Sequence, residues 1–106
     1  YHMVPRALRE LAPLGCIGIH GSLLPRYRGG APLVWAMIDG ESETGVSLFH
    51  FADGVDDGDL IGQQAFPIEA RDTIADVLEK AEVASLDLLG RHVPQLALGT
   101  APRCPQ

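Results

Sequence analysis

The sequence predicts a small α/β fold, and three patterns carry that prediction. A short apolar run at residues 16–19 leads into a polar loop, as a buried strand does. Residues 45–51 alternate between two faces with a period of two, which indicates a half-buried strand. Apolar residues recur at helical spacing over residues 74–89. Strands and helices that follow one another in this way favour helices packed on a sheet.

The first part of the chain predicts a helix, a strand and a second helix. Residues 5–11 begin with a proline at a plausible first helical position, which favours one or two helical turns. The strand at 16–19 contains Gly18, and glycine inside a strand marks a close backbone approach or a bulge. After a loop, a helix begins at Pro32 and ends at Gly40, the usual positions for these two residue types.

Two strands and a long helix are predicted for the remainder. Strands at 45–51 and 60–68 are joined by a glycine-rich acidic loop, and antiparallel pairing is the simplest arrangement for them. Thr73, or the aspartate before it, caps the long helix, with Asp76 completing a capping box. Pro94 is expected to kink or end this helix, because proline removes a backbone hydrogen bond.

Length and composition exclude several classes of protein. The 106 residues suffice for one domain, and the formal net charge of −6 supplies no basic surface for a nucleic acid duplex. There is no apolar run of about 18 residues to span a membrane, and the start lacks the pattern of a signal peptide and looks like a chain cut within a domain. Cys16 and Cys104 suit reduced cytoplasmic thiols, although a disulfide between them is possible.

The loop after the first strand holds the first group of candidate site residues. It carries an imidazole, a hydroxyl, two guanidinium groups and a phenol, from His20, Ser22, Arg26, Arg28 and Tyr27. A carboxylate near the imidazole of His20 would fix its tautomer and suit it to proton transfer. The two arginines either pack their stems on the surface or bind an anionic group such as a phosphate.

The loop at residues 53–59 holds the second group, the four carboxylates of Asp53, Asp56, Asp57 and Asp59. Their spacing does not follow the EF-hand pattern, so no metal site is predicted. Four neighbouring carboxylates repel one another, and at most two of them are expected to point into a site while Asp57 and Asp59 remain solvated. We expect the two loops to face each other and to form one site.

Four segments, residues 20–30, 31–35, 44–47 and 53–59, resemble the folate-dependent formyltransferases. The resemblance covers nearly the whole chain, and residues 27–29 and 31–35 are more similar to the methionyl-tRNA and sugar-nucleotide branches than to the purine branch. It implies a Rossmann-like domain with a mixed sheet and flanking helices. Residues 1–106 would be the later part of that catalytic domain, with its N-terminal half missing.

The resemblance also implies an activity in one-carbon metabolism, an N-formyltransferase that moves a formyl group from 10-formyltetrahydrofolate to a primary amine. His20 and Asp56 match the catalytic histidine and aspartate, and we expect their side chains to meet directly or through one water. The loop that binds the pterin end of the folate matches Ala52, Asp53, Gly54, Val55 and Asp56. Contacts to the amine substrate are expected from Gly21, Ser22, Arg26 and Arg28, with Ser22 supporting the loop rather than acting as a nucleophile.

The family's asparagine, two residues before the histidine, is replaced by Gly18 in this chain. Loss of an oxyanion donor is expected to impair the transfer, and Gly18→Asn in a full-length protein should raise the rate roughly a hundredfold or more. The acceptor amine, on methionyl-tRNA or an amino-sugar nucleotide, stays open. So do two other possibilities, a formyltetrahydrofolate deformylase and a non-catalytic fragment.

The stability of the isolated chain is expected to be marginal. Three predicted strands and one long helix form only part of a sheet, which would leave apolar side chains uncovered. The side chains expected to be uncovered are those of Ile17, Ile19, Val46 and Leu48.

Overall fold

The structure is a computed structural model, and it describes residues 17–51 and 57–106. Within these ranges it contains three strands and two helices, which confirms the α/β prediction. In chain order they are β1 (Ile17–His20), α1 (Pro32–Ile38), β2 (Glu43–His50), β3 (Leu60–Pro67) and α2 (Ile74–Leu98). The predicted helix at 5–11 lies outside the described residues.

The three strands form one sheet in the order β1-β2-β3. Both pairs are antiparallel, as expected for β2 and β3, whereas the resemblance implied a mixed sheet. His20 lies opposite Ser47 across the first pair, and Leu48 lies opposite Gly62 across the second. The register of β2 and β3 shifts after Leu48. The tail adds an antiparallel bridge between Cys104 and Leu60, which the sequence did not predict.

The long helix α2 begins as predicted and ends later than predicted. The Thr73 hydroxyl accepts a hydrogen bond from the Asp76 N–H at 3.3 Å, and the Asp76 carboxylate accepts one from the Thr73 N–H at 2.9 Å. Pro94 does not end the helix, which runs to Leu98. The carbonyl that Pro94 cannot bond belongs to Gly90, and both residues are exposed, so water can replace the missing donor.

One face of α2 packs on one face of the sheet and forms the core. Helix residues Val77, Ala81, Ala84 and Leu88 lie against strand residues Val46, Leu48, Ile61 and Phe66. The expectation that Val46 and Leu48 would be uncovered is therefore wrong, because both are buried in the core that α2 forms with the sheet. Ile19 on the edge strand is 40% exposed, as expected.

No helix in the described part of the chain is long and apolar enough to cross a bilayer.

Candidate active site

The loop after β1 folds back across the sheet face that α2 does not cover. Ser47 on β2 is fully buried there, and its hydroxyl donates a hydrogen bond of 2.6 Å to the Ser22 carbonyl. The same oxygen accepts from the Leu24 N–H and from Gln63 Nε2, each at 3.0 Å. Gln63 Nε2 also donates to the Leu24 carbonyl at 2.9 Å. Three of these bonds attach the loop to the sheet, and the fourth, between Gln63 and Ser47, joins β3 to β2.

His20 is held inside this loop by a backbone carbonyl. Its side chain is 6% exposed, and its Nε2 lies 2.7 Å from the carbonyl oxygen of Tyr27. A carbonyl oxygen can only accept, so Nε2 carries the hydrogen in this pair. The Ser22 hydroxyl donates to the Arg26 carbonyl at 2.6 Å, so Ser22 supports the loop as predicted. The side chains of His20 and Ser22 therefore bind the backbone carbonyls of residues 26 and 27 and fix the middle of the loop.

Tyr27 joins the same loop to the end of α1. Its φ of 55° lies in the left-handed region, which a non-glycine residue rarely adopts. Its hydroxyl donates to the Asp39 carboxylate at 2.7 Å and to the Glu41 carboxylate at 3.2 Å. The bond to Asp39, followed by desolvation and the two negative charges, raises the pKa of Tyr27 to about 12. The phenol therefore stays protonated, and stays a donor, throughout the physiological pH range.

Both arginines of the loop contact other parts of the chain. The Arg26 guanidinium forms an exposed ion pair of 2.6 Å with Glu41 and lies 5.5 Å from the centre of the Tyr27 ring. Arg28 donates from Nε and Nη2 to the side-chain oxygen of Gln106 at 3.2 and 3.0 Å. An anionic substrate group that binds Arg26 would have to compete with Glu41.

The first loop meets the end of the acidic loop through the last residue of the chain. Gln106 accepts from Arg28 and donates from Nε2 to the Gly58 carbonyl at 2.7 Å. Asp57 is exposed, as predicted, but Asp59 pairs with Arg103 at 2.7 Å instead of standing free in solvent. The tail brings Arg103 next to Asp59 by pairing with the start of β3, an arrangement that no local pattern indicated.

Residues 52–56 lie outside the described residues, and with them the pterin loop and Asp56. The expected approach of Asp56 to His20 therefore stays a prediction. In the two ranges that the structure describes, no group of three or more histidine, cysteine or acidic side chains could hold a metal ion. Cys104 is a free, exposed thiol there, and Cys16 lies outside these ranges.

Gly18 lies on the same sheet face as His20, beneath an aromatic ring. A Cβ atom at this position would lie 2.8 Å from Cζ of Phe51. The Phe51 ring in turn packs edge-on against Phe49, with the ring centres 5.5 Å apart. An asparagine at position 18 would require the Phe51 ring to move, so Gly18 and Phe51 are matched to each other in this chain.

Several residues of this region are not predicted as site residues by the sequence patterns. Ser47 and Gln63 are the most important of them. Ser47 is fully buried and Gln63 is exposed, and the one available signal was the serine between apolar residues of β2. His50 is another, since it is buried on the α2 side near the Arg103–Asp59 pair. Burial, together with the positive charge of Arg103, lowers the pKa of His50, and Asp59 opposes this shift.

Two hollows differ in their relation to the loop. An apolar hollow of about 280 Å³ lies beside Gly21, between the start of α1 and Ile74 and Leu78 of α2. A larger groove of about 570 Å³ runs between β3 and α2 and has none of its described lining residues in the loop. Gly21, which lines the smaller hollow, directly follows His20 in the sequence.

Comparison with known proteins relates most of the chain to one family. The family model described as formyl transferase matches residues 1–92. The methionyl-tRNA formyltransferase of Latilactobacillus sakei is 44% identical over 103 residues, which are 97% of this chain and 32% of that protein. The chain thus spans about a third of the length of this curated relative.

Solved structures agree with this relation. The N-formyltransferase of Helicobacter canadensis, in complex with folinic acid and dTDP-3-aminofucose, superposes with a TM-score of 0.82. It is 28% identical, and the match covers 85% of this chain and 34% of that one. The formyltransferase PseJ of Anoxybacillus kamchatkensis gives a TM-score of 0.88 over 100% of this chain and 56% of its own. At 24% identity, PseJ supports the fold alone.

Proposed function

The chain belongs to the formyl transferase family, and from this premise we propose that it takes part in transfer of a formyl group from 10-formyltetrahydrofolate to a primary amine. Residues 1–106 form the later part of the catalytic domain that performs this reaction. Support for a folate donor comes from the Helicobacter canadensis relative, which binds folinic acid. No resident metal enters the proposed chemistry.

His20 carries the proposed chemistry because the protein holds its ring in one orientation. The amine attacks the formyl carbon, a tetrahedral oxyanion forms, and the carbon–nitrogen bond to the folate then breaks as the folate nitrogen takes up the proton that the amine has lost. A protonated His20 donates from both ring nitrogens, so Nε2–H can stay on the Tyr27 carbonyl while Nδ1–H stabilises the oxyanion. The hydrogen bond of 2.7 Å from Nε2 to Tyr27 is the observation on which this role rests.

The other proposed roles follow the resemblance. Asp56 orients His20 and accepts the proton that the attacking amine releases. The pterin end of the folate lies against the backbone of Ala52, Asp53, Gly54, Val55 and Asp56. Gly21, Arg26 and Arg28 face the amine substrate, and Ser22 contributes through the shape of the loop.

The proposed acceptor is methionyl-tRNA, which places the reaction in the cytoplasm. The identity of 44% to a methionyl-tRNA formyltransferase favours it over the amino-sugar nucleotide, whose relative is 28% identical. The formal net charge of −6 means that most basic contacts to tRNA must come from outside residues 1–106. Gly18 leaves the site without the family's asparagine, so the proposed reaction is slow.

The test uses the natural full-length protein with 10-formyltetrahydrofolate and each acceptor in turn. We expect formylation of methionyl-tRNA, and a loss of roughly a hundredfold or more in kcat/KM with His20→Gln or Asp56→Asn. Asp57→Asn, at an exposed aspartate of the same loop, is the matched control and should leave the rate unchanged.

Each contrary result identifies another function. Formylation of the amino-sugar nucleotide alone would replace the acceptor, and release of formate without an amine would indicate a deformylase. Folate binding in calorimetry without any turnover would leave a non-catalytic binding protein.

A further inference from the structure

Tyr27 occupies an unusual position relative to His20. Its backbone carbonyl accepts the hydrogen of His20 Nε2 at 2.7 Å, while its side chain points in a different direction and is bound elsewhere. The carbonyl can take this direction because φ of Tyr27 is 55°. A residue with a Cβ atom loses free energy in the left-handed region, so some other interaction must hold Tyr27 there.

The interaction that holds Tyr27 is at the end of its own side chain. The phenol donates to Asp39 at 2.7 Å and to Glu41 at 3.2 Å, and Arg26 pairs with Glu41 from the other side at 2.6 Å. Asp39 caps the C-terminus of α1, and its backbone N–H bonds the Trp35 carbonyl, so this acceptor belongs to a fixed element. The phenol is thus tied to a helix end, and the carbonyl of the same residue is tied to the histidine.

We propose that Tyr27 is a positioning residue for His20: its phenol, anchored on Asp39 and Glu41, keeps the backbone in the left-handed conformation that aims its carbonyl at His20 Nε2. This selects the neutral His20 tautomer with hydrogen on Nε2, and the same carbonyl keeps accepting from Nε2 when a proton on Nδ1 makes the ring the cation of the proposed reaction. The catalytic part of this inference rests on the proposed function, whereas the effect on the tautomer does not.

The tautomer can be measured without any turnover. Nitrogen-15 NMR of the imidazole distinguishes a ring nitrogen that carries hydrogen from one that does not. In the full-length protein we expect the Nε2–H form of neutral His20 to dominate. Tyr27→Phe removes one oxygen atom and should give a mixture of the two tautomers. Ser85→Ala removes a hydroxyl that donates to the Ala81 carbonyl within α2 and is the control, with no change in the His20 signals.

A second pair of variants separates positioning from packing. Tyr27→Gly and Tyr27→Ala both remove the ring, but glycine adopts a φ of 55° without strain and alanine does not. If the phenol acts by holding the backbone, the glycine variant keeps more of the Nε2–H form than the alanine variant. If the ring merely packs, the alanine variant keeps at least as much of the Nε2–H form as the glycine variant. That result would overturn the proposal.

In the full-length protein, Tyr27→Phe should lower kcat by roughly fivefold, with a change below about twofold in KM for the folate. An unchanged His20 tautomer in Tyr27→Phe would overturn the positioning role whatever the activity. An altered tautomer in a protein that transfers no formyl group would sustain the positioning role and refute the proposed function, so the two failures are distinguishable.

Discussion

The two faces of the three-stranded sheet are stabilised by different interactions. On one face, Val46 and Leu48 pack against Val77 and Leu88 of α2, and all four side chains are almost fully buried. On the other face, the loop after β1 is attached by hydrogen bonds that converge on the Ser47 hydroxyl. Apolar burial is strong but has no direction, whereas a hydrogen bond fixes the direction of its partners.

This difference explains why the candidate site lies on the hydrogen-bonded face. A loop that packed by apolar contacts alone would have many arrangements of similar free energy. The bonds from Ser47 and Gln63 select one of them, and in that arrangement the Tyr27 carbonyl reaches His20. We therefore expect a substitution that removes packing on the helix-covered face to lower stability. A substitution that removes a hydrogen bond on the loop-covered face should also change the geometry of His20.

The largest effect is expected from Leu88→Ala, which leaves a cavity on the helix-covered face. Leu88 is fully buried, so the free energy of unfolding should fall by about 2–5 kcal/mol. Leu86→Ala, on the same helix but at a side chain that is 65% exposed, should change it by less than about 0.5 kcal/mol. Denaturant titration followed by far-ultraviolet circular dichroism measures both. Equal losses in the two variants would show that α2 does not cover the sheet in solution.

A smaller loss is expected from Ser47→Ala, which acts on the loop-covered face. The substitution leaves the Leu24 N–H and the Ser22 carbonyl without the Ser47 hydroxyl, while Gln63 Nε2 keeps its bond to the Leu24 carbonyl, and the expected cost is about 1–3 kcal/mol. The same variant should also alter the nitrogen-15 signals of His20, which Leu88→Ala should leave unchanged in the folded fraction.

Ser42→Ala, at an exposed serine just before β2, is the control for Ser47→Ala. It should neither lower the free energy of unfolding nor alter the His20 signals. If Ser47→Ala lowers stability yet leaves the His20 signals intact, the loop does not depend on this anchor for its shape.

The smallest effect concerns His50, at the border of the helix-covered face. Its pKa is lowered mainly by burial and also by Arg103, while Asp59 opposes the shift. The folded state therefore binds the proton less readily than the unfolded chain, so stability should fall as pH drops from about 7 to about 5. One such group contributes a slope of at most about 1.4 kcal/mol per pH unit.

His50→Gln removes this group and should flatten the pH dependence over the same interval, while every other titrating group remains. Arg103→Gln should flatten it in part, because it removes the positive charge that helps to lower the pKa. Thermal unfolding at a series of pH values compares the three chains. Parallel curves for wild type and His50→Gln would mean that His50 titrates alike in the folded and unfolded states.

Local patterns in the sequence were enough to predict most of the elements. The period of two in β2, the helical spacing of α2 and the capping box of Thr73 and Asp76 are properties of neighbouring residues. The loop that begins at His20 was also predictable, since a polar run follows an apolar one. Ser22 was predicted to support that loop, and it does.

The continuation of α2 past Pro94 was not predictable from the same patterns. Whether a helix tolerates proline depends on where the freed carbonyl lies, and at Gly90 it lies in solvent. The covering of Val46 and Leu48 by α2 was missed for a related reason, since a count of elements does not say which one covers which face.

The sequence by itself thus determined the elements and the segment that carries His20, and the tertiary structure alone decided what holds His20 in place. The Tyr27 phenol finds its acceptor Asp39 12 residues away, Ser47 lies 25 residues from Ser22, and Arg28 lies 78 residues from Gln106. Periodicity reports the conformation of neighbours along the chain. Hydrogen bonds between distant residues form after the sheet register and the helix packing have brought them together, so no local pattern encodes them.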